Sequence, residues 1–106
     1  MDKNEKIEEM QILEQKIQNS FLQKQSFQME YSETQASLEE IKNSGDEIFK
    51  IVGQLMVKAD KLKVKEELLN KEKILDLRIK TIEKQEASLM EELNKLREEV
   101  MKTMKK

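Results

Sequence analysis

The 106-residue sequence contains no cysteine, no histidine, no proline and no tryptophan. Without cysteine or histidine the chain cannot form a disulfide, a thiolate nucleophile, a histidine general base or an ordinary zinc site. Only two glycines are present, Gly45 and Gly53, so a glycine-rich loop that cradles phosphate is excluded as well. These absences predict that the protein is not an enzyme and uses no cofactor or metal.

Long apolar runs are also missing. The longest is Leu55-Met56-Val57, whereas a membrane-spanning helix needs about 20 apolar residues. The amino-terminal residues 1–5 lack the apolar core of a signal peptide. We therefore expect a soluble, cytoplasmic protein without a membrane partner.

Aromatic residues are scarce, one tyrosine and three phenylalanines, while 40% of residues are charged. A compact domain of this size normally has more aromatics and fewer charges. The 20 basic and 22 acidic residues nearly balance, and apolar residues recur with a helical period. The composition thus predicts long, mostly exposed helices rather than disorder.

Residues 3–43 carry a heptad pattern when Met10 is taken as position a. Seven of the twelve a and d positions are apolar, which is typical of a coiled-coil helix. The a positions are Lys3, Met10, Ile17, Lys24, Tyr31 and Leu38, and the d positions are Lys6, Leu13, Ser20, Phe27, Thr34 and Ile41.

Residues 60–105 carry a second and stronger heptad pattern. Five successive d positions are apolar, namely Leu68, Leu75, Ile82, Leu89 and Leu96. The a positions are Lys65, Glu72, Ile79, Glu86, Leu93 and Val100. Asp60 is a candidate N-cap for this helix because its carboxylate can accept a bond from a free backbone N–H.

The middle of the chain breaks both patterns. Residues 43–46 (Asn-Ser-Gly-Asp) have the composition of a helix stop, and we expect Gly45 to adopt a positive φ there. Residues 47–52 and 55–58 are rich in β-branched and large apolar side chains and flank a candidate tight turn, Gly53-Gln54. The sequence thus predicts a β-hairpin, the alternative being one continuous helix through this region.

Folding the chain back at Gly53 pairs residues whose numbers sum to 106. This register matches a with d, as an antiparallel coiled coil requires, and gives six layers of apolar on apolar: Met10–Leu96, Leu13–Leu93, Ile17–Leu89, Phe27–Ile79, Tyr31–Leu75 and Leu38–Leu68. The predicted fold is all-α dominated, a long antiparallel coiled-coil hairpin with a short β-hairpin at its closed end. The predicted segments are residues 1–43, 44–59 and 60–106, within one domain.

The predicted hairpin and the predicted helix ends suggest binding to other proteins. A lone two-stranded hairpin is marginal in water, and its free edges invite pairing with another chain. Candidate assembly residues are therefore Ile48, Phe49, Ile51, Val52, Gly53, Leu55 and Val57. Methionine adapts to irregular apolar partners, and four of the seven methionines lie near the termini (Met1, Met10, Met101 and Met104). The candidate client-binding residues at the helix ends are therefore Ile7, Met10, Val100, Met101 and Met104.

Two segments also resemble the β-class subunits of prefoldin. Residues 49–58 (Phe-Lys-Ile-Val-Gly-Gln-Leu-Met-Val-Lys) resemble the family's hairpin segment. Residues 71–86, which include Leu-Arg-Ile-Lys-Thr and Glu-Lys-Gln-Glu, resemble the start of its second helix, most closely in archaeal-type subunits. The chain departs from its relatives in lacking a proline around the hairpin, which leaves the strand boundaries open.

The resemblance implies an ATP-independent chaperone. In that family two α-class and four β-class subunits join through β-hairpins into a double barrel that carries six coiled coils. Apolar groups at the coiled-coil tips hold unfolded polypeptides and pass them to a group II chaperonin. The expected partners are thus a prefoldin α subunit, further β subunits, unfolded client proteins and a group II chaperonin.

Other functions fit the sequence less well. A parallel dimeric coiled coil acting as a tether would use the strong d positions of the second helix, but it does not explain the β-branched middle. DNA binding would need a basic region, and the only candidate, Lys58 to Lys65, is followed at once by Glu66 and Glu67. Paired glutamates on an exposed helix have no pocket to make them acid or base catalysts.

Overall fold

The computed structural model describes residues 2–104. Two long helices, α1 (Lys3–Asn43) and α2 (Lys61–Met104), are joined by an antiparallel hairpin of β1 (Ile48–Val52) and β2 (Leu55–Ala59). The predicted fold class is therefore confirmed. Met1 and residues 105–106, which belong to the predicted outer segments, lie outside the described residues. None of the described helices is long and apolar enough to cross a membrane.

Both helices begin at an aspartate cap. Asp60 Oδ1 accepts a hydrogen bond from the Leu62 backbone N–H at 3.0 Å, as the sequence predicts. Asp2 Oδ1 accepts one from the Glu5 N–H at 2.8 Å, a cap that the heptad argument did not identify. Each carboxylate satisfies a backbone donor that the first helical turn leaves free.

Helix α1 ends differently from the prediction. The expected positive φ at Gly45 is wrong, because Gly53, with a φ of 63°, is the only described residue with one. Instead Ser44 Oγ donates to the Ile41 carbonyl at 2.8 Å, and Lys61 Nζ donates to the Ser44 carbonyl at 2.9 Å. A hydroxyl and an ammonium thus meet the helix-end carbonyls, which carry partial negative charge, without a left-handed residue.

The described chain divides into two units. The terminal unit comprises residues 2–26 and 79–104, and the hairpin unit comprises residues 27–78. In the terminal unit Lys6 Nζ lies 3.4 Å from a carboxylate oxygen of Glu99, and Lys24 Nζ lies 3.1 Å from one of Glu86. Residue numbers rise along one helix as they fall along the other, so the two helices are antiparallel there.

Helix pairing within one chain buries the predicted stripes. Every a and d position from Lys6 to Ile41 is at least partly buried. The most buried apolar side chains all belong to these stripes: Leu13, Leu75, Ile82, Leu93 and Val100. Because the stripes are covered within the chain, a parallel dimer has no free apolar seam to use. The six individual layers remain a prediction.

The stripe of α2 departs from the heptad at its first turn. Lys65 is exposed, whereas Val64 is partly buried in its place. Lys61 is held at the end of α1 by its bond to the Ser44 carbonyl. Since residues three apart lie on the same side of a helix, Val64 follows Lys61 toward α1 and Lys65 turns outward.

The hairpin turns at Gly53-Gln54 as the sequence predicts, and only the strand bounds differ. Ile48 pairs with Ala59 and Val52 with Leu55, so paired numbers sum to 107 and the turn is centred between Gly53 and Gln54. Positive φ at Gly53 alone identifies a type II′ turn, whose twist matches that of the strands. The strands run from 48 rather than 47 and to 59 rather than 58.

Candidate protein-binding surfaces

The β-hairpin exposes apolar side chains on both of its faces. Phe49, Ile51 and Met56 share one face, because Ile51 lies opposite Met56 in the register. On the other face Val52 lies opposite Leu55, beside Val57. All six side chains are exposed, Ile51 at 74% of its full area. Ile48, in contrast, is partly buried at the base of the hairpin.

The strand edges add hydrogen-bonding capacity to this apolar surface. Within residues 2–104 the sheet has two strands, so each has an outer edge not covered by another described strand. Backbone N–H and C=O groups along such an edge pair readily with a strand from another chain. A two-stranded hairpin with apolar faces also needs further packing to be stable in water. This arrangement suits assembly through the hairpin.

A groove in the hairpin unit lies between the hairpin and the helices that flank it. It has a volume of about 700 Å³, and its apolar lining includes Ile41, Phe49, Ile51, Met56 and Leu68. Lys50 Nζ lies 2.9 Å from a Glu67 carboxylate oxygen and connects β1 to α2 beside this groove. The hairpin is thus held over an apolar groove that an apolar side chain can enter.

Sequence reasoning missed one member of this surface. Met56 was left out of the assembly residues, although it is 70% exposed and directly opposite Ile51. The signal was available, because strand residues alternate between faces and a two-residue turn at Gly53-Gln54 places 51 opposite 56. The roles of the seven predicted assembly residues themselves remain a prediction.

The terminal unit contains the predicted client-binding residues. Met101 and Met104, at the end of α2, are exposed, and so is Ile7 in α1. Met10 is only partly buried, whereas Val100 is buried in the stripe. We name Ile7, Met101 and Met104 the terminal cluster. The burial of Val100 places it among the packing residues, and client binding by any of the five remains a prediction.

The sequence of the chain matches a known family over nearly its whole length. The family model described as prefoldin subunit matches residues 4–106. The prefoldin subunit beta of Thermococcus onnurineus is 38% identical over 94 residues, covering 87% of this chain and 81% of that protein. The prefoldin subunit beta of Pyrobaculum aerophilum is 36% identical over 92 residues, covering 85% and 73%.

The fold matches a solved structure as well. The crystal structure of the prefoldin beta subunit from Thermococcus strain KS-1 superimposes with a TM-score of 0.86 at 31% sequence identity. The match covers 95% of this chain and 90% of that one. The sequence comparison and the structural comparison thus both match prefoldin beta subunits.

Proposed function

This chain belongs to the prefoldin family, and we propose that it is the β-class subunit of a hetero-hexameric prefoldin that captures unfolded polypeptides without ATP. As a prefoldin subunit it is a chaperone and not an enzyme. In the proposal it assembles with a prefoldin α subunit and further β subunits, and it passes its clients to a group II chaperonin in the cytoplasm.

One observation carries the proposal: the exposed, two-faced apolar hairpin. Six exposed apolar side chains on ten strand residues, with both outer edges free of other described strands, call for a partner chain. A hairpin from another subunit supplies both the missing edge bonds and the apolar cover. The hairpin is thus the part of the chain best suited to bring several subunits together.

Client binding is assigned to the terminal cluster. Each exposed side chain there contributes at most about 1.5–3 kcal/mol when fully covered, and less when partly covered. Several such clusters on one assembly raise the effective concentration of binding groups for the same client. A client is thereby held without one tight site, and because each contact is weak it can leave for the chaperonin.

A matched pair of variants tests client binding. Met104 and Met29 are both methionines exposed to 66%, but only Met104 lies in the terminal cluster. We expect Met101→Gln/Met104→Gln to lose much of the ability to suppress aggregation of a denatured model protein. The control Leu22→Gln/Met29→Gln, which also replaces two exposed apolar side chains but outside the terminal cluster, should keep that ability.

The assay is light scattering on the chain assembled with an archaeal-type α-class subunit, without nucleotide. Equal activity of the two double variants would exclude the terminal cluster as the client site. Failure of the unmodified assembly to suppress aggregation would exclude the chaperone function itself. Delivery is tested separately, by transfer of labelled client from this assembly to a group II chaperonin.

A further inference from the structure

The a/d stripe of the helix pair in the terminal unit is flanked on two sides. Heptad position e lies on one side, which we call the e side, and position g lies on the other, the g side. Position e is occupied by Ile7, Glu14 and Phe21 in α1 and by Glu83, Met90, Arg97 and Met104 in α2. Arg97 Nη2 lies 3.5 Å from Glu14 Oε1, so the e positions of the two helices meet on the same side. In the same register, Ile7 lies opposite Met104 one heptad toward the termini, and Phe21 lies opposite Met90 one heptad the other way.

Four of the seven e positions of the terminal unit are apolar, whereas none of its g positions is. Ile7, Phe21, Met90 and Met104 are all exposed, Phe21 and Met90 to 47% and 46%. The g positions of the same unit are entirely charged or amide side chains: Glu9, Lys16, Gln23, Gln85, Glu92 and Glu99. Since the heptad stripe needs neither side to be apolar, the asymmetry requires a separate explanation.

A groove lies on the e side next to the Phe21–Met90 pair. It has a volume of about 320 Å³ and is lined by Ile17, Lys24, Glu83, Glu86, Ala87 and Met90, all at a, b or e positions. Lys24 Nζ lies 5.9 Å from the centre of the Phe21 ring and 3.1 Å from Glu86 Oε2. Met90 thus lines the groove on α2, and Phe21 lies next to Lys24, which lines it on α1.

The charges of the e side do not suit an anionic partner. Arg97 is paired with Glu14 and Lys24 with Glu86, and Glu83 adds a further carboxylate. Nucleic acids and acidic lipid surfaces are held by an excess of lysine and arginine, which this side does not have. Exposed apolar side chains separated by neutralised ion pairs suit a chain of mixed polar and apolar side chains.

The area and the spacing favour an extended polypeptide over a second copy of this chain. The surface area of four partly exposed side chains is smaller than the roughly 800 Å² per partner that a stable interface buries. Successive e positions along α1 are about 10.5 Å apart. A polyproline II segment, a major conformation of unfolded chains, presents the same face about every 9.3 Å. An unfolded chain can therefore place apolar side chains at Ile7–Met104 and at Phe21–Met90 together.

We propose that the e side of the terminal unit is a client-binding strip, which holds apolar side chains of an unfolded polypeptide at two points on either side of the Glu14–Arg97 ion pair. The first point is Ile7 with Met104, and the second is Phe21 with Met90 beside the groove. The second point lies about 21 Å further along α1 than the first. The inference rests on the proposed function and extends it beyond the terminal cluster.

Single-cysteine variants test the strip, because the chain has no native cysteine. A short photo-crosslinker is attached at positions 7, 21, 90 or 104, with controls at 12 and 22. Ile12 and Leu22 are apolar and exposed to 55% and 56%, but they lie at heptad positions c and f, off the strip. The probe is reduced, carboxymethylated α-lactalbumin, which stays unfolded, added to the full chain assembled with an α-class subunit.

We expect crosslinks to the probe from 21 and 90 at several times the yield from 12 and 22, and none to native α-lactalbumin. Crosslinks from 7 and 104 with background yield at 21 and 90 would overturn the strip and leave the proposed function standing. No crosslinks from any position would count against both. Crosslinks from 21 and 90 to another subunit rather than to the probe would identify a subunit contact and overturn the strip.

A second measurement does not depend on labels. Phe21→Gln/Met90→Gln should weaken binding of the same probe several-fold, whereas Ile12→Gln/Leu22→Gln should leave it within about twofold. Circular dichroism establishes that both double variants keep their helices. Equal binding by the two variants would overturn the strip.

Discussion

At the scale of single residues, the two glycines differ in backbone conformation, and only one of the positions requires glycine. Gly53 has a φ of 63°, a conformation that costs a residue with a side chain about 1–2 kcal/mol. Gly45 has no positive φ, and a Cβ atom added at either glycine would meet nothing within 4 Å. Backbone conformation rather than space therefore decides which glycine is required.

Gly53→Ala is expected to lower the opening free energy of the hairpin by about 1–2 kcal/mol. The matched variant Gly45→Ala should be neutral or stabilise by up to about 1 kcal/mol, because alanine restricts the unfolded chain. Hydrogen exchange of the amides of residues 48–59 measures both. A loss at Gly45 as large as that at Gly53 would contradict the assignment of the turn.

At the scale of the helices and strands, the heptad pattern predicted nearly every inward-facing position. It worked because an a/d stripe is a periodic signal that averages over many residues. It missed the shift from Lys65 to Val64, because that depends on the contact between Lys61 and the Ser44 carbonyl. The composition of residues 43–46 wrongly predicted a positive φ at Gly45, because it does not reveal that Ser44 and Lys61 satisfy the end of α1.

The candidate surfaces were predictable in outline but not in detail. Exposure of the hairpin follows from its apolar composition, whereas the membership of Met56 needed the strand register. Val100 is terminal and apolar, but it lies in the stripe and is buried. Phe21 and Met90 were passed over because they lie off the stripe and far apart in sequence. Only the pairing of the helices shows that they share a side.

The ion pair Lys24–Glu86 interrupts the apolar stripe of the helix pair. The two side chains are only 20% and 21% exposed, and Glu86 Oε1 is buried and bonds to no polar atom of the described residues. Removing either partner leaves a largely buried charge alone. We expect either Lys24→Leu or Glu86→Leu to lower the free energy of unfolding of the protein by about 1–3 kcal/mol. This is less than for a fully buried pair, because both groups are partly solvated.

The double variant Lys24→Leu/Glu86→Leu is expected to recover most or all of that loss, since an apolar layer needs no desolvation of charge. Urea unfolding of the four proteins gives the coupling energy. Lys95→Ala is the control, because the Lys95–Glu91 pair is exposed and worth only about 0.3–0.5 kcal/mol. Additive losses in the double variant would show that the two charges do not act as a pair.

At the scale of the whole molecule, helix packing and the proposed assembly surface use separate sets of residues. The stripes of α1 and α2 are buried within one chain, whereas the hairpin side chains are exposed in it. Damage to the hairpin should therefore dissociate an assembly without unfolding the helices. This separation is what a subunit needs if it is to fold before it meets its partners.

Ile51→Lys/Met56→Lys places two charges opposite each other on one face of the hairpin. Mixed with an α-class subunit, this variant is expected to sediment as a smaller species than the unmodified chain does, because a charged face cannot be covered by an apolar partner strand. Its far-ultraviolet circular dichroism should stay helical. The control Leu22→Lys/Met29→Lys adds the same charge at exposed helical positions and should assemble normally. Assembly of the hairpin variant at full size, or equal dissociation of the control, would place the subunit interface elsewhere than on the hairpin.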